Sequence, residues 1–456
     1  MNGLKLISSK KFTRFTKELF MQAKQNLIKQ VLLQLGHSNE AQYYLDQYNN
    51  AKQVKFAVVK VGGTVIAEQL QELAQSLSLL THLGLIPIVL HGAGSQIDAE
   101  VSKQNLSVKK IDGLRVTDDK TIELIQPVIK DVHQKLLDAL AQHDIKTMSI
   151  FNNVFSCDYL DKEKYGHVGT IKQVKLQEIN QAIKNKQVPI LSCLGSDDKG
   201  NVLNINADIA IRQLVWESKP AKVIFVTPTG GMLDKKGQLI SAIQLHNQYE
   251  NLMQQDWLHS GMKLKIQQIY QLLKPMPRKL SVSITAASEL GKELFTHKGK
   301  GTFVCMGENI NHQQIIGSAV KLKLISLLEN TFGKRLKPNF FAEIKLKSIF
   351  ISESGQAVAL VTEGHDGKPY LNKFAVTPQA QGQGLGKAIW EQMLLIYPQI
   401  YWRSRSTNKI NSWYYKQADC SYKQDNWIVF SCGMPLPQAL DCLQVAANYA
   451  DSWQEQ

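Results

Sequence analysis

Residues in the first two thirds of the chain have the types and spacing that handle phosphate. Lys60-Val61-Gly62-Gly63 closes one apolar run, and His91-Gly92-Ala93-Gly94 closes the next. Glycines at a strand exit let backbone N–H groups approach phosphate oxygens with no Cβ in the way. A helix N-terminus beyond them favours negative charge. Lys60 at the strand end, with Lys263 and Lys265 after Gly261, can supply the positive charge that phosphoryl transfer needs. The polar run 204–208 ends in the carboxylate of Asp208. A Gly-Gly pair after a strand is also an ordinary turn, so neither loop says much alone. The two together say more.

A second glycine-rich loop, Gln381-Gly382-Gln383-Gly384-Leu385-Gly386, follows the apolar run ending at Val376. Its strand–loop–helix setting suits a diphosphate. It meets neither the GxGxxG dinucleotide pattern nor the GK[ST] pattern, since Lys387 precedes Ala388. Downstream, Arg403 and Arg405 alternate with Trp402 and Ser404. In a strand, both arginines share a face. Two guanidiniums on one face suit a dicarboxylate, and they also suit an exposed basic edge strand. Lys373 precedes the loop, and Asn408 and Asn411 follow the arginines in a polar turn. No Cys–His pair suggests an acyl-enzyme.

The elements that must position these groups follow from the hydrophobic pattern. Residues 12–48 show helical spacing broken at Gly36. Almost continuously apolar runs (KFAVVKV, IPIVLH, KTMSIF, VPILSCLG, KVIFVT) alternate with helical stretches. That pattern predicts a parallel α/β sheet with its sites at the strand C-termini. After about Met306 the pattern changes. A helix over 312–328 is expected, then strands joined by short turns, which predicts a separate α+β domain with an antiparallel or mixed sheet.

Composition bounds the rest. A chain of 456 residues implies two or three domains. The net charge is +14, but the lysines are scattered with no long basic block. Small anionic ligands fit better than nucleic acid. No apolar run reaches membrane-spanning length, so no membrane role is expected. The six cysteines form no CxxC pair and read as reduced thiols. A basic N-terminus faintly resembles a transit peptide, and a cytoplasmic location is the expectation.

The runs KVGGTV, HGAGSQID, DGLRVTD, YGHVGTIKQV, LNINADIA, GMKLKIQQI and ELFTHKGKGTF, in that order, resemble the amino-acid kinase fold of acetylglutamate kinases. The resemblance implies a mostly parallel sheet sandwiched by helices, using ATP with Mg²⁺ on N-acetyl-L-glutamate, with no protein-built metal site. By motif, Lys60 and Lys265 would stabilise the transferring phosphoryl group and Asp208 would orient them. Gly62, Gly63 and Gly94 would contact nucleotide phosphates. Gly92, Arg115 and Asn204 would hold the acylated glutamate. The chain departs from the motif at Ala93 and at Pro228, where relatives often have glycine. Glu293 and Gly299 would bind L-arginine as effector; on residue type alone, Glu293 equally fits a solvated charge at a helix end.

YLNKFAV, QGQGLG and WRSRSTNKINSWYY resemble the GNAT-type acetyltransferase domain of vertebrate and fungal N-acetylglutamate synthases. That resemblance implies acetyl-CoA held by Val376, Gln381, Gly382, Gly384 and Gly386. L-Glutamate would be held by Lys373, Arg403, Arg405 and Asn408, with Tyr414 facing the leaving thiolate. From sequence alone, Tyr414 also fits as packing between Trp413 and Tyr415.

The whole chain is similar to bacterial bifunctional N-acetylglutamate synthase/kinases. The expected domains are 1–51 (helical), 52–310 (kinase-like) and 311–456 (acetyltransferase). The resemblance also implies a homo-oligomer, a tetramer. The alternative is a synthase whose kinase-fold domain only senses arginine. The presence of Lys60, Asp208 and Lys265 points to a working kinase.

Overall fold

A computed structural model describes residues 57–105, 109–258, 260–277, 280–295, 301–315, 317–381 and 384–454. The expected N-terminal helical segment, Gly299 and Gly382 lie outside the described residues. Two compact units are present. The first ends at Cys305; the second holds Met306 onward together with Gln244–Glu250.

The first unit is built on an eight-stranded sheet. Six strands run parallel in the order Ser281–Thr285, Lys222–Val226, Ala57–Val61, Ile88–His91, Val188–Leu191, Thr147–Ile150. Thr302–Cys305 adds on antiparallel. Val58, Val59, Val89, Ile190 and Ile224 have no exposed surface, because helices cover both faces. The helices Leu70–His82 and Asp119–Gln142 contribute Leu73, Leu77, Ile125 and Leu136 to the same core. A helix starts at Gly63, directly after the strand Ala57–Val61, and a second helix begins at Leu70.

Two smaller sheets were not expected. One has four strands, in the order Val202–Asn204, Leu194–Ser196, Phe155–Tyr159, Gly169–Val174. The other is a hairpin, Lys110–Ile111 with Leu114–Arg115. Its two-residue turn is Asp112-Gly113, with φ of 53° and 78°. Positive φ at both positions is what a type I′ hairpin turn requires.

The second unit has a seven-stranded sheet: Ile310–Gln313, Leu346–Ser352, Ala357–Glu363, Pro369–Val376, Ile400–Arg405, Trp427–Cys432, Cys420–Gln424. Neighbours are antiparallel except Pro369–Val376 with Ile400–Arg405, which are parallel. The helix expected over 312–328 is corrected. Residues Ile310–Gln313 are a strand, and the helix is Ser318–Phe332. His312 reads as helical by spacing, yet it stacks on Phe350 of the neighbouring strand and meets the Ser348 hydroxyl at 2.8 Å. Tertiary pairing overrides the local pattern here.

Candidate active sites in the two units

In the first unit, adjacent parallel strands end at Lys60-Val61 and Leu90-His91. Gly62 caps the helix Gly63–Glu68, and Gly94 opens the helix Gly94–Lys103. A Cβ on Gly62 or Gly94 would meet nothing within 4 Å, so both backbones border open space. Gly63 is different. A Cβ there would collide with the Gln96 side chain and come within 3.2 Å of the Ala93 backbone. The Gln96 amide donates to the Gly63 carbonyl at 2.8 Å, tying the two glycine loops together. Ala93 has φ −133°, a conformation open to any residue, so the expected glycine is not needed for backbone reasons.

The helix Ala207–Ser218 delivers the carboxylate. Asn206 caps it, accepting from the backbone N–H of Asp208 at 2.8 Å, and so fixes Asp208 in the first turn. Lys60 donates to Asp208 at 2.8 Å. Lys265, on the helix Ser260–Leu273, is half-buried. Burial lowers its pKa, the charge of Lys60 adds to that, and Asp208 opposes it. The three expected charged residues therefore share one field. A part-buried ion pair gives little net stability, so the physical yield of this cluster is placed charge rather than folding energy. Cys193 lies against it, donating to the His91 carbonyl at 3.1 Å. Burial pushes its thiol up to about 12, which rules it out as a thiolate nucleophile at neutral pH.

The hairpin turn sets Arg115 beside the second glycine loop. Its Nη2 donates to Asp98 at 2.5 Å and to the Gly94 carbonyl at 3.4 Å. Its Nη1 is buried with no partner among the described residues, a donor left for an acidic group. Asn204 donates to the Thr117 hydroxyl at 3.1 Å. Gly166 makes this junction possible, since a Cβ there would run into the Thr117 carbonyl. Among the described residues no group of three His, Cys, Asp or Glu converges as a metal site.

In the second unit, the parallel strands Pro369–Val376 and Ile400–Arg405 pair only at Tyr370↔Tyr401 and Leu371↔Trp402, and then part. A bulge on the other side of the first strand leaves Asn372 unpaired, and a bulge of this kind re-aims its neighbours. Lys373 through Val376 line one side of the resulting gap, and Arg403 through Arg405 line the other. Gly384, with φ 80°, caps the helix Leu385–Ile396. A Cβ on Gly386 would sit 3.2 Å from Val376, so glycine lets this first turn lie against the strand end. Gln381 donates to the Val376 carbonyl at 3.4 Å. Tyr414, on the helix Asn411–Gln417, is buried among Trp390, Trp402, Trp413 and Phe430. Burial raises its pKa, with Tyr370 adding to the effect, so it stays a phenol and a donor at neutral pH.

Lys373, Arg403 and Arg405 do come together. Both arginines stack on Trp427, each guanidinium carbon 4.0 Å from the ring centre. The same-face expectation therefore holds. Asn408 donates to the Ser404 hydroxyl at 3.0 Å.

Two family models match the chain: the amino acid kinase family over residues 55–282, and the N-acetyltransferase of N-acetylglutamate synthase over residues 311–449. An acetylglutamate kinase of Xanthomonas campestris pv. campestris is 42% identical over 404 residues, covering 88% of this chain and 95% of the relative. This chain belongs to the acetylglutamate kinase branch of the amino acid kinase family. A mitochondrial N-acetylglutamate synthase of Danio rerio is 28% identical over 430 residues, covering 92% of this chain and 79% of that one. A structure of N-acetylglutamate synthase from Neisseria gonorrhoeae, complexed with coenzyme A and N-acetyl-glutamate, shares the fold. Its TM-score is 0.58 at 18% identity, covering 88% of this chain and 99% of that one.

In this chain Glu293 is not a solvated helix-end charge. It is buried, accepts from the Gly301 N–H at 3.0 Å, and its field acts on the buried ammonium of Lys222. Sequence reading missed Asp98, Thr117 and Cys193. It also missed the C-terminal residues 449–453, which contact the cations of the second unit. An acid four residues beyond Gly94 is a helix-spaced signal that could have flagged Asp98.

Proposed function

We infer that this chain carries out two consecutive steps of arginine biosynthesis. It transfers the acetyl group of acetyl-CoA to the amine of L-glutamate, releasing CoA thiol. It then transfers the γ-phosphoryl group of ATP to the side-chain carboxylate of N-acetylglutamate, releasing ADP. The observation that carries the kinase reading is the complete Lys60–Asp208–Lys265 cluster beside two glycine-capped strand ends.

Phosphoryl transfer asks the protein for position and charge. In this reading Lys60 and Lys265 balance charge on the transferring group, and Asp208 keeps the two ammoniums from repelling each other apart. Gly62, Gly63 and Gly94 turn N–H groups to the phosphates. Gly92 and Asn204 contact the acceptor, and the free Nη1 of Arg115 takes an acceptor carboxylate. Mg²⁺ would be held by the nucleotide rather than by protein carboxylates, and would neutralise phosphate charge.

In the second unit, the parted strands offer unpaired backbone groups to a thioester arm, with the loop around Gly384 and Gly386 at its diphosphate end. Lys373, Arg403, Arg405 and Asn408 receive glutamate. Attack is direct: the amine's lone pair forms the new C–N bond, the nitrogen gives its excess proton to water, the C–S bond breaks, and the Tyr414 phenol donates toward the leaving sulfur.

Arginine as effector at Glu293, a homo-oligomeric assembly and a cytoplasmic location complete the proposal. No helix among the described residues is long and apolar enough to cross a membrane. The test is pure protein with ATP, Mg²⁺ and N-acetylglutamate, without acetyl-CoA. ADP and acyl phosphate in equal amounts support the kinase. Their absence, with glutamate-dependent CoA release intact, leaves a synthase with an arginine sensor.

A further inference from the structure

Every cationic side chain assigned above to the acetyl acceptor contacts one short stretch, residues 446–453. Arg403 donates to the carbonyls of Tyr449 at 2.6 Å, Ala450 at 2.8 Å and Ala446 at 3.3 Å. These carbonyls lie at and just past the end of the helix Leu436–Ala447, where unpaired acceptors and negative dipole collect. Arg405 donates through Nη2 to Asp451 at 2.6 Å. Lys373 donates to the Ser452 hydroxyl at 2.9 Å and lies over the Trp453 ring at 5.5 Å, and it is also anchored by Asn372 Oδ1 at 2.7 Å and the Phe340 ring at 4.9 Å. The stretch is itself pinned. Lys337 donates to the Ser452 carbonyl at 3.0 Å, and Gln454 donates to the Arg335 carbonyl at 2.9 Å.

We propose that the C-terminal segment is the positioning element of the acetyl-acceptor site, with Asp451 aiming Arg405 and Ser452 aiming Lys373 at the incoming dicarboxylate. This role rests on the reading of the second unit as a glutamate acetyltransferase.

Charge and valence both support it. Three cations crowd one face, and Asp451 is the acid paired with one of them, Arg405. Two substrate carboxylates then bring the face to neutrality with Asp451 in place. Arg405 spends only Nη2 on Asp451, and stacking on Trp427 fixes its plane. Its remaining donors therefore form a preset edge. Arg403 keeps Nε–H outside the hydrogen bonds to the segment. Its three carbonyl partners make it the fixed post from which Arg405, two residues on, is measured. The ion pair is half-exposed on both sides, so it stabilises the fold little; its effect falls on where Arg405 points.

The experiment is steady-state CoA release by the full chain, with L-glutamate and acetyl-CoA varied separately, in wild type, Asp451→Asn, Asp451→Glu and Ser452→Ala. In Asp451→Asn the expected KM for glutamate rises about fivefold, while kcat, the KM for acetyl-CoA and the melting temperature stay put. Asp451→Glu should recover part of the loss, and Ser452→Ala should raise the same KM. A glutamate KM that is unchanged or falls in Asp451→Asn overturns the positioning role, a fall meaning that the segment obstructs the site. Wild-type protein that releases no CoA with glutamate removes the acetyltransferase reading and this role with it. The two failures are therefore told apart by the wild-type control.

Discussion

Lys60 and Asp208 stand 148 residues apart in sequence and meet at 2.8 Å. One ends a central strand and the other opens a helix, so the contact exists only in the folded sheet. Lys60→Ala should lower kinase turnover by about 10²–10³-fold, the usual cost of one preorganised group facing developing charge. Acetyl transfer in the same preparation should not change. A variant that keeps more than a small fraction of its ADP formation would remove Lys60 from the transferring group.

The two glycines of the first loop separate folding from binding. Gly63→Ala places a methyl against Gln96, Ser95 and the Ala93 backbone. It should cost the first unit about 1–3 kcal/mol, as overpacking does, read as a lower urea midpoint. Gly62→Ala meets nothing within 4 Å. It should fold like wild type and raise the KM for ATP. Wild-type ATP affinity in Gly62→Ala would move the phosphates elsewhere.

Burial, helped by the nearby charge of Arg403 and opposed by Asp451, lowers the Lys373 ammonium to about 7. The charged form, which attracts an acidic acceptor, prevails below that value. The KM for glutamate should therefore rise as pH climbs through about 7, and Lys373→Met should show a higher, flat KM. Stability has its own sign. The folded value lies below the ordinary 10.5, so between the two the unfolded chain binds the extra proton. The second unit should gain stability as pH rises through that window. Denaturant midpoints of wild type and Lys373→Met, compared across pH, check it.

Glu293 and Lys222 are both buried, and the Lys222 ammonium donates to the Glu293 carbonyl at 3.3 Å. Burial lowers the lysine's pKa and the Glu293 charge opposes that shift. Glu293→Gln leaves a buried cation without its anion and should cost about 3 kcal/mol. Adding Lys222→Met should restore much of it. Equal losses in the single and double variants would mean that the two charges do not support each other.

The parallel strands of the first unit were legible because burial on both faces leaves continuous apolar runs, as at residues 57–61 and 222–226. Lys60, Asp208 and the glycine loops were legible through local motifs. The segment at 310–313 was not, because its strand character comes from pairing with Leu346–Ser352 rather than from its own residues. The Arg403 and Arg405 alternation gave their shared face. It could not give their partners, which sit more than forty positions downstream and are mostly backbone carbonyls that no side-chain pattern marks. Glu293 stood evenly between an effector ligand and an end-of-helix charge because sequence alone carries no burial, and its counter-charge is 71 residues away.

The parting of Pro369–Val376 from Ile400–Arg405 has a consequence for self-association. Two strands in the middle of a seven-stranded sheet behave, over their last residues, as edges. Unpaired edges recruit other chains. The parted strands thus form an adhesive seam inside the sheet, and under the proposed function a thioester lying there would double as its plug. Turbidity on storage should fall when acetyl-CoA is present, at concentrations that saturate the site.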